Sequence, residues 1–218
     1  MNAQPHEIAA ALLDVRKAYR LLHDYQRAAL DAVNYIGTQL GFTYEGGYSN
    51  FSDCSPRNGK GSLDNWAWDW LNLYFHEFHF IKKVDSEETL NLSIWLFSDT
   101  GYYCSSHPEI DETDLSTFAK PEESNTKIGF ILYRQWREEY EVAYEDEPVR
   151  LFLKEGGKLP PLLEKAGIRA TLYDFSEVAG QQSTDVLLGK LIQFGNAHGF
   201  PLTRNPILTK STRTVREQ

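Results

Sequence analysis

The first forty residues carry an apolar stripe whose members are separated alternately by four and three positions. The stripe consists of Ile8, Leu12, Val15, Tyr19, Leu22, Gln26, Ala29, Val33, Ile36 and Leu40. Such spacing is that of one helical face, and it predicts an α-helix that starts near Pro5 and ends at Gly41. A helix of this length extends about 50 Å. We therefore expect it either to break near Gly37 or to project from the domain.

The same stripe is compatible with two kinds of packing. A helix that lies on a sheet and one strand of a coiled coil have nearly the same apolar spacing. In a coiled coil, the polar Gln26 would fix the register of the two helices. We expect packing within the domain, and a homodimer through the N-terminal helix is the alternative.

Three segments have the composition and alternation of strands, namely residues 74–83, 90–98 and 127–136. In the second, one face is apolar and the other mixed, which predicts a sheet that is covered on one side. Gly46 and Gly47 predict a hairpin turn between two short strands within residues 42–51. Residues 138–153 and 168–175 are interpreted as further strands.

Short helices are predicted after the strands. Pro160 and Pro161 begin one that Gly167 ends, and Ser183 is the predicted N-cap of a second that runs to about Ala197. The predicted fold class is α+β, with a mainly antiparallel meander sheet, a long N-terminal helix and short C-terminal helices. We assign residues 1–202 to a single domain and residues 203–218 to a polar, flexible tail.

Residues 65–80, NWAWDWLNLYFHEFHF, are the most aromatic part of the chain. Trp66, Trp68 and Trp70 alternate with other residues, so an extended segment places their rings on one side, and we expect these rings to form core. The alternative is a small-ligand sensor whose pocket these tryptophans line. Arg57 and Lys60, in the preceding loop, would then bind an anionic group of the ligand.

The histidines of the same segment do not form a metal motif. On a strand, His76 and His79 point to opposite faces, and we predict no metal and no cofactor. Glu77 shares a face with His79, and together with Asp99 this pair gives the enzymatic alternative, a metal-assisted hydrolase. Otherwise we assign no catalytic residue, because the chain has neither a nucleophile elbow nor a dinucleotide-binding fingerprint.

Charge is distributed unevenly along the chain, whose net charge is −9. Between Asp85 and Glu147 there are sixteen acidic and only four basic residues. This excess argues against nucleic acid as a partner and predicts an acidic face that binds a basic protein. Aromatic rings interrupt the densest acidic run, as in protein interfaces. The predicted partner-binding residues are Glu138, Glu139, Tyr140, Glu141, Tyr144 and Glu145.

These observations favour a non-catalytic interaction protein, such as an immunity protein or antitoxin that inhibits a nuclease-like toxin. The two cysteines, Cys54 and Cys104, are too few for a disulfide scaffold. The sequence has no secretory signal and no apolar run that approaches the roughly 20 residues of a membrane span. We therefore expect a cytoplasmic protein that does not bind membranes.

Overall fold

A computed structural model describes residues 5–49, 74–86, 88–112, 114–134, 146–178 and 180–205 of the chain. The fold is α+β, as predicted. Its elements in chain order are α1 (Pro5–Gln39), β1 (Thr43–Ser49), β2 (Phe75–Lys83), β3 (Thr89–Phe97), β4 (Lys127–Arg134), α2 (Asp146–Lys154), α3 (Pro161–Lys165), β5 (Arg169–Asp174) and α4 (Gln181–Ala197). Single 3₁₀ turns occupy Leu115–Thr117 and Phe175–Val178.

The five strands form one antiparallel meander in the order β1-β2-β3-β4-β5, so each strand pairs with its neighbour in sequence. β3 is the central strand. Leu92 and Ile94 point to one of its faces, and Trp95 and Phe97 point to the other. All four side chains are buried. The predicted strands 74–83 and 90–98 therefore agree with β2 and β3 to within one residue at each end.

One face of the sheet is covered by helices from both ends of the chain. The C-terminal part of α1 contributes Val33, Ile36 and Leu40, and α4 contributes leucines such as Leu188. They pack with the apolar side chains of β2, β3 and β4 in a first core cluster.

The opposite face of the sheet is also covered, so the prediction of a one-sided sheet is wrong. Trp95 and Phe97 belong to a second core cluster together with Phe152 of α2, Leu163 of α3 and Tyr103 from the segment after β3. Phe152 and Leu163 are distant in sequence from β3. Alternation along β3 alone gave no sign of them.

α1 is a single continuous helix, and it does not break at Gly37. It ends as predicted, because Gly41 has a φ of +75°, the left-handed conformation that glycine adopts readily. From Ala29 onward its apolar stripe is buried, whereas residues 10–21 are all exposed. The helix therefore projects beyond the part that covers the sheet.

Two predictions about local structure are wrong. Gly46 and Gly47 do not form a hairpin turn; they lie within β1, where the register shifts between Tyr44 and Gly46. Gly47 has a different role, because a β-carbon there would lie 2.7 Å from the Glu77 carbonyl oxygen of β2. Residues 146–153 form the helix α2 and not a strand.

The start of α4 also differs from the prediction. The helix begins at Gln181, with Gly180 at the N-cap position, and the Ser183 hydroxyl donates a hydrogen bond to the Gly180 carbonyl at 2.8 Å. Its end at Ala197 is as predicted.

Residues 203–205 contact the rest of the fold. The Asn205 amide donates a hydrogen bond to the Gln39 carbonyl at 2.7 Å, and Arg204 forms an ion pair with Asp185. Residues 206–218 lie outside the described residues, and the division into one domain and a tail stays a prediction. Within the described ranges, no helix combines the length and the apolar character that crossing a membrane requires.

The contact between α1 and β2 gives a prediction about stability. A β-carbon at Gly37 would overlap the buried ring of Phe80, so the ring or the helix would have to shift. We expect Gly37→Ala to lower the free energy of unfolding by about 1–3 kcal/mol. Denaturant titration measures this change.

The matched control is Gly189→Ala in α4, where a β-carbon would meet nothing within 4 Å. Alanine has the higher helix propensity, so this variant should be more stable by about 0.5–1 kcal/mol. A Gly37→Ala variant as stable as the parent would show that α1 does not approach β2 this closely.

Candidate functional site

The polar side chains of β2 are divided between its two faces as the alternation predicts. Glu77 and His79 lie on the side of the second core cluster, opposite Trp95 and Ser93 of β3 in the strand register. His76 lies on the other side, and its ring centroid is 4.6 Å from that of Phe78. The two histidines therefore point to opposite faces.

Glu77 is a carboxylate inside an apolar cluster, and only 2% of its surface is exposed. The Trp95 indole Nε1 donates a hydrogen bond to Glu77 Oε1 at 2.9 Å. The buried indole N–H needs an acceptor, and the buried carboxylate needs a donor. This hydrogen bond satisfies both groups, and an unpaired buried polar group would be costly.

His79 connects this pair to two hydroxyl groups. Its Nε2 lies 3.5 Å from Glu77 Oε1, and its Nδ1 is 3.0 Å from Ser93 Oγ. Ser93 is also hydrogen-bonded with Tyr133 of β4, and burial raises the pKa of the Tyr133 hydroxyl. The ring of Tyr48 on β1 packs edge-on against the His79 ring. The result is a polar network that crosses four strands.

The network has the order serine, histidine, carboxylate, but its geometry favours a structural role. Ser93 is 3% exposed and lies in the central strand, so a substrate cannot reach its hydroxyl group. A fully paired buried network of this kind holds neighbouring strands in register.

Asp99 does not join this network. It follows the end of β3, six residues beyond Ser93, which corresponds to about 20 Å along an extended chain. There its carboxylate accepts hydrogen bonds from the Gly101 amide at 2.7 Å and from the Tyr74 hydroxyl at 3.3 Å. The structure thus brings together Glu77 and His79 of the enzymatic alternative, and leaves Asp99 at the other end of the strand.

Among the described residues, no group of three or more His, Cys, Asp or Glu side chains could hold a metal ion. The proposed ligand-binding residues Arg57, Lys60, Trp66, Trp68 and Trp70 lie outside the described residues. A cavity of about 240 Å³ opens instead between α1 and the β1 edge of the sheet. It is lined by Leu30, Val33, Asn34, Tyr44, Phe78 and Phe80.

The partner-binding residues named from the sequence, Glu138, Glu139, Tyr140, Glu141, Tyr144 and Glu145, also lie outside the described residues. The earlier part of the acidic region is described. The segment 98–126, here called the acidic loop, contains seven acidic residues and a single basic one, Lys120. Six of its carboxylates are exposed, namely Glu109, Asp111, Glu112, Asp114, Glu122 and Glu123.

Hydrogen bonds within the acidic loop fix its conformation. The Thr117 hydroxyl bonds to the backbone of Asp111 and donates to the Asp114 carbonyl at 2.7 Å. Ser105 Oγ donates to the Thr117 carbonyl at 2.6 Å. The Asp114 carboxylate caps the 3₁₀ turn by accepting from the Ser116 amide, and its hydrogen bonds to Ser116 lower the pKa of Asp114.

The acidic loop is also attached to the second core cluster. Tyr102 and Tyr103 at its start are buried there. The Arg150 guanidinium of α2 donates to their carbonyl oxygens at 3.2 and 2.9 Å and lies over the Tyr102 ring. At the far end, Thr100 and Asn125 exchange backbone and side-chain hydrogen bonds of 3.0 Å. The segment is therefore an ordered surface and not a simple linker.

Sequence reasoning missed Leu115, an apolar side chain of the acidic loop that is 59% exposed. An isolated leucine between Asp114 and Ser116 was the available signal. It also missed Trp95, Ser93 and Tyr133 as partners of Glu77 and His79, because those contacts depend on the register between strands.

Comparison with known proteins identifies one protein family. The family model described as PM0109 matches residues 5–184. No curated protein and no solved structure matches the chain.

The structural reading of the polar network predicts a loss of stability in Glu77→Ala. The substitution leaves the buried Trp95 indole without this acceptor and opens a small cavity. We expect the free energy of unfolding to fall by about 2–4 kcal/mol in a denaturant titration. Glu155→Ala, at an exposed position, should change it by less than about 0.5 kcal/mol. Equal effects at the two sites would contradict the structural role.

A second prediction concerns pH and His76. Burial lowers the pKa of His76, with a smaller opposing effect of Glu77. As the pH falls, His76 therefore takes up a proton in the unfolded chain at a higher pH than in the folded protein. The contribution of His76 to stability is complete above about pH 6.5. It is lost as the pH falls from there through the folded-state pKa.

The measurement is the difference in unfolding free energy between neutral and mildly acidic solution. His76→Gln should reduce that difference, and His23→Gln, at an exposed position of α1, should leave it unchanged. The expectation fails if both variants keep the full pH dependence of the parent protein.

Proposed function

The chain is a member of the PM0109 family, and we propose that it is a non-catalytic interaction protein that binds a basic protein partner through the acidic loop. The observation that carries this proposal is the ordered loop with its six exposed carboxylates. Such an arrangement attracts a positively charged surface and orients it before contact.

The loop combines charge with an apolar contact point. The exposed Leu115 directly follows Asp114 and comes two residues before Thr117, whose hydroxyl makes several of the loop's hydrogen bonds. Asp111 and Glu112 are also close to it in the sequence. An apolar residue ringed by charges can become the buried centre of an interface while the carboxylates remain at its rim.

Pre-organisation supports the same function. The bonds from Thr117, Ser105 and Arg150 hold the loop in one conformation before a partner arrives. A partner that binds an ordered loop does not have to supply the free energy of ordering it. This distinguishes the acidic loop from a solvated charged run, which would gain less from each contact.

A basic partner of this kind is found among nucleases and other proteins that bind nucleic acid, because their surfaces neutralise phosphates. The finer proposal is an immunity protein or antitoxin that covers the nucleic-acid site of a nuclease-like toxin in the cytoplasm. The free thiol of Cys104 is consistent with a reducing compartment.

The competing expectation is a metal-assisted hydrolase that uses Glu77 and His79. The burial of Glu77 and the remote position of Asp99 favour the interaction protein over this alternative. Elemental analysis of the purified protein separates the two functions. Stoichiometric zinc or manganese that is lost in His79→Ala would support the hydrolase.

The interaction proposal predicts that neutralising the acidic loop weakens partner binding. In a variant with Glu109→Gln, Glu122→Gln and Glu123→Gln, affinity for the basic partner should fall about tenfold at low salt. The partner is obtained by affinity purification from the producing cells at low salt, identified by mass spectrometry and titrated against both proteins. Added salt should weaken the parent complex more than the complex of the variant.

A matched control neutralises three exposed carboxylates elsewhere, Glu45, Glu155 and Glu164. This variant has the same net charge as the loop variant and should bind as the parent does. If both variants lose affinity equally, net charge and not the acidic loop determines binding. If neither variant loses affinity, the proposed surface is wrong.

A further inference from the structure

α1 has one apolar stripe in two environments. Ala29, Val33 and Ile36 are buried against the sheet. The same stripe continues toward the N-terminus at Leu12, which is 52% exposed, and at Tyr19, which is 62% exposed. Residues 10–21 are exposed without exception, so none of the residues that the structure describes covers this region.

An uncovered stripe of this kind is unfavourable in isolation. A helix gains most of its stability from packing of its apolar face, and contiguous exposed apolar side chains usually mark an interaction surface. Because α1 runs without a break into the core, its projecting part cannot fold back onto its own sheet.

We propose that the N-terminal stripe, defined as the exposed Leu12, Val15 and Tyr19 and the half-buried Leu22, pairs with the same stripe of a second copy in an antiparallel helix pair. The intervals between its members are three, four and three residues, so the spacing is identical when read in either direction. A stripe with that property is self-complementary under a two-fold axis at the level of residue 17.

The side-chain sizes suit this pairing. The axis places Leu12 opposite Leu22 of the partner subunit, and Val15 opposite Tyr19 of the partner subunit. Two layers then contain two leucines, and two contain one large and one small side chain. Ala18, which lies beside the axis, is small enough for a close approach of the two backbones.

Charge also favours a second copy. Residues 10–24 contain the basic residues Arg16, Lys17 and Arg20 and the acidic residues Asp14 and Asp24. Two copies would therefore meet at nearly neutral segments, although the chain has a net charge of −9. Arg16 lies on the flank of the pair, where its long side chain reaches solvent.

The position of the rest of the domain determines whether the two helices run parallel or antiparallel. The Tyr25 hydroxyl donates to Ser98 Oγ at 3.0 Å, and the Tyr25 ring packs edge-on against Phe175. From Tyr25 toward its C-terminal end, α1 packs against the sheet of its own chain. Parallel helices would bring both domains to the same end, whereas antiparallel helices put them at opposite ends, with Tyr25 about 12 Å along the helix from the axis.

Oligomeric state tests the proposal directly. Sedimentation equilibrium of the full chain up to about 100 μM should show a dimer with a dissociation constant on the order of 10 μM, as expected for a small interface. Tyr19→Lys should raise that constant at least about tenfold. Its helix content by circular dichroism should otherwise match the parent, because the side chain is exposed.

Leu21→Lys is the matched control. Leu21 is 70% exposed but points about 200° away from Tyr19 around the helix. The Leu21→Lys substitution adds the same charge two residues after Tyr19 and should leave the dimer intact. A protein that stays monomeric up to about 100 μM, or a dimer that both variants weaken equally, would overturn the proposal.

Disulfide cross-linking tests the direction. When Leu12→Cys and Leu22→Cys proteins are mixed and oxidised, an antiparallel pair gives the mixed 12–22 disulfide, identified by peptide mass. Cross-linking of the Leu12→Cys protein with itself, and no mixed product, would overturn the antiparallel arrangement.

Discussion

β3 lies in the middle of the sheet and buries apolar side chains on both of its faces, which is the constraint that organises the other elements. Leu92 and Ile94 require a cover on one side, and Trp95 and Phe97 require one on the other. Because apolar burial is the main driving force of folding, both covers have to form. The first comes from α1 and α4, and the second from α2, α3 and the start of the acidic loop.

The polar network of the second face follows from the same constraint. Glu77, His79 and Ser93 occupy positions that the sheet turns inward, so each has to find a partner within the protein. The Trp95 indole and the Tyr133 hydroxyl supply two of those partners. In an open cleft, a serine, a histidine and a carboxylate in this order would suggest catalysis. Here they lie inside the fold and help to stabilise it.

The elements with strong local periodicity could be predicted from sequence. The stripe of α1, the alternation in β2 and β3, and Gly41 as the helix end are local properties, and the structure has all three. The facing of Glu77 and His79 follows from alternation as well. For these features, neighbouring residues alone decide the outcome.

Features that depend on distant residues could not be predicted. Phe152 and Leu163 cover the second face of the sheet, and no pattern within β3 reveals them. Gly47 resembled a turn residue, but its role is the close approach of β1 to the Glu77 backbone. The conformation of the acidic loop depends on Arg150, which lies in a helix on the other side of β4 in the sequence.

The two surfaces proposed here use different side chains, because the N-terminal stripe of α1 contains no residue of the acidic loop. The acidic loop is attached to the second core cluster, whereas α1 packs against the first. Pairing through Tyr19 uses none of the carboxylates that would contact a basic partner. A two-fold helix pair would therefore carry two acidic loops, and a partner with two basic sites, or a dimeric one, would bind both with an avidity that exceeds the affinity of a single loop.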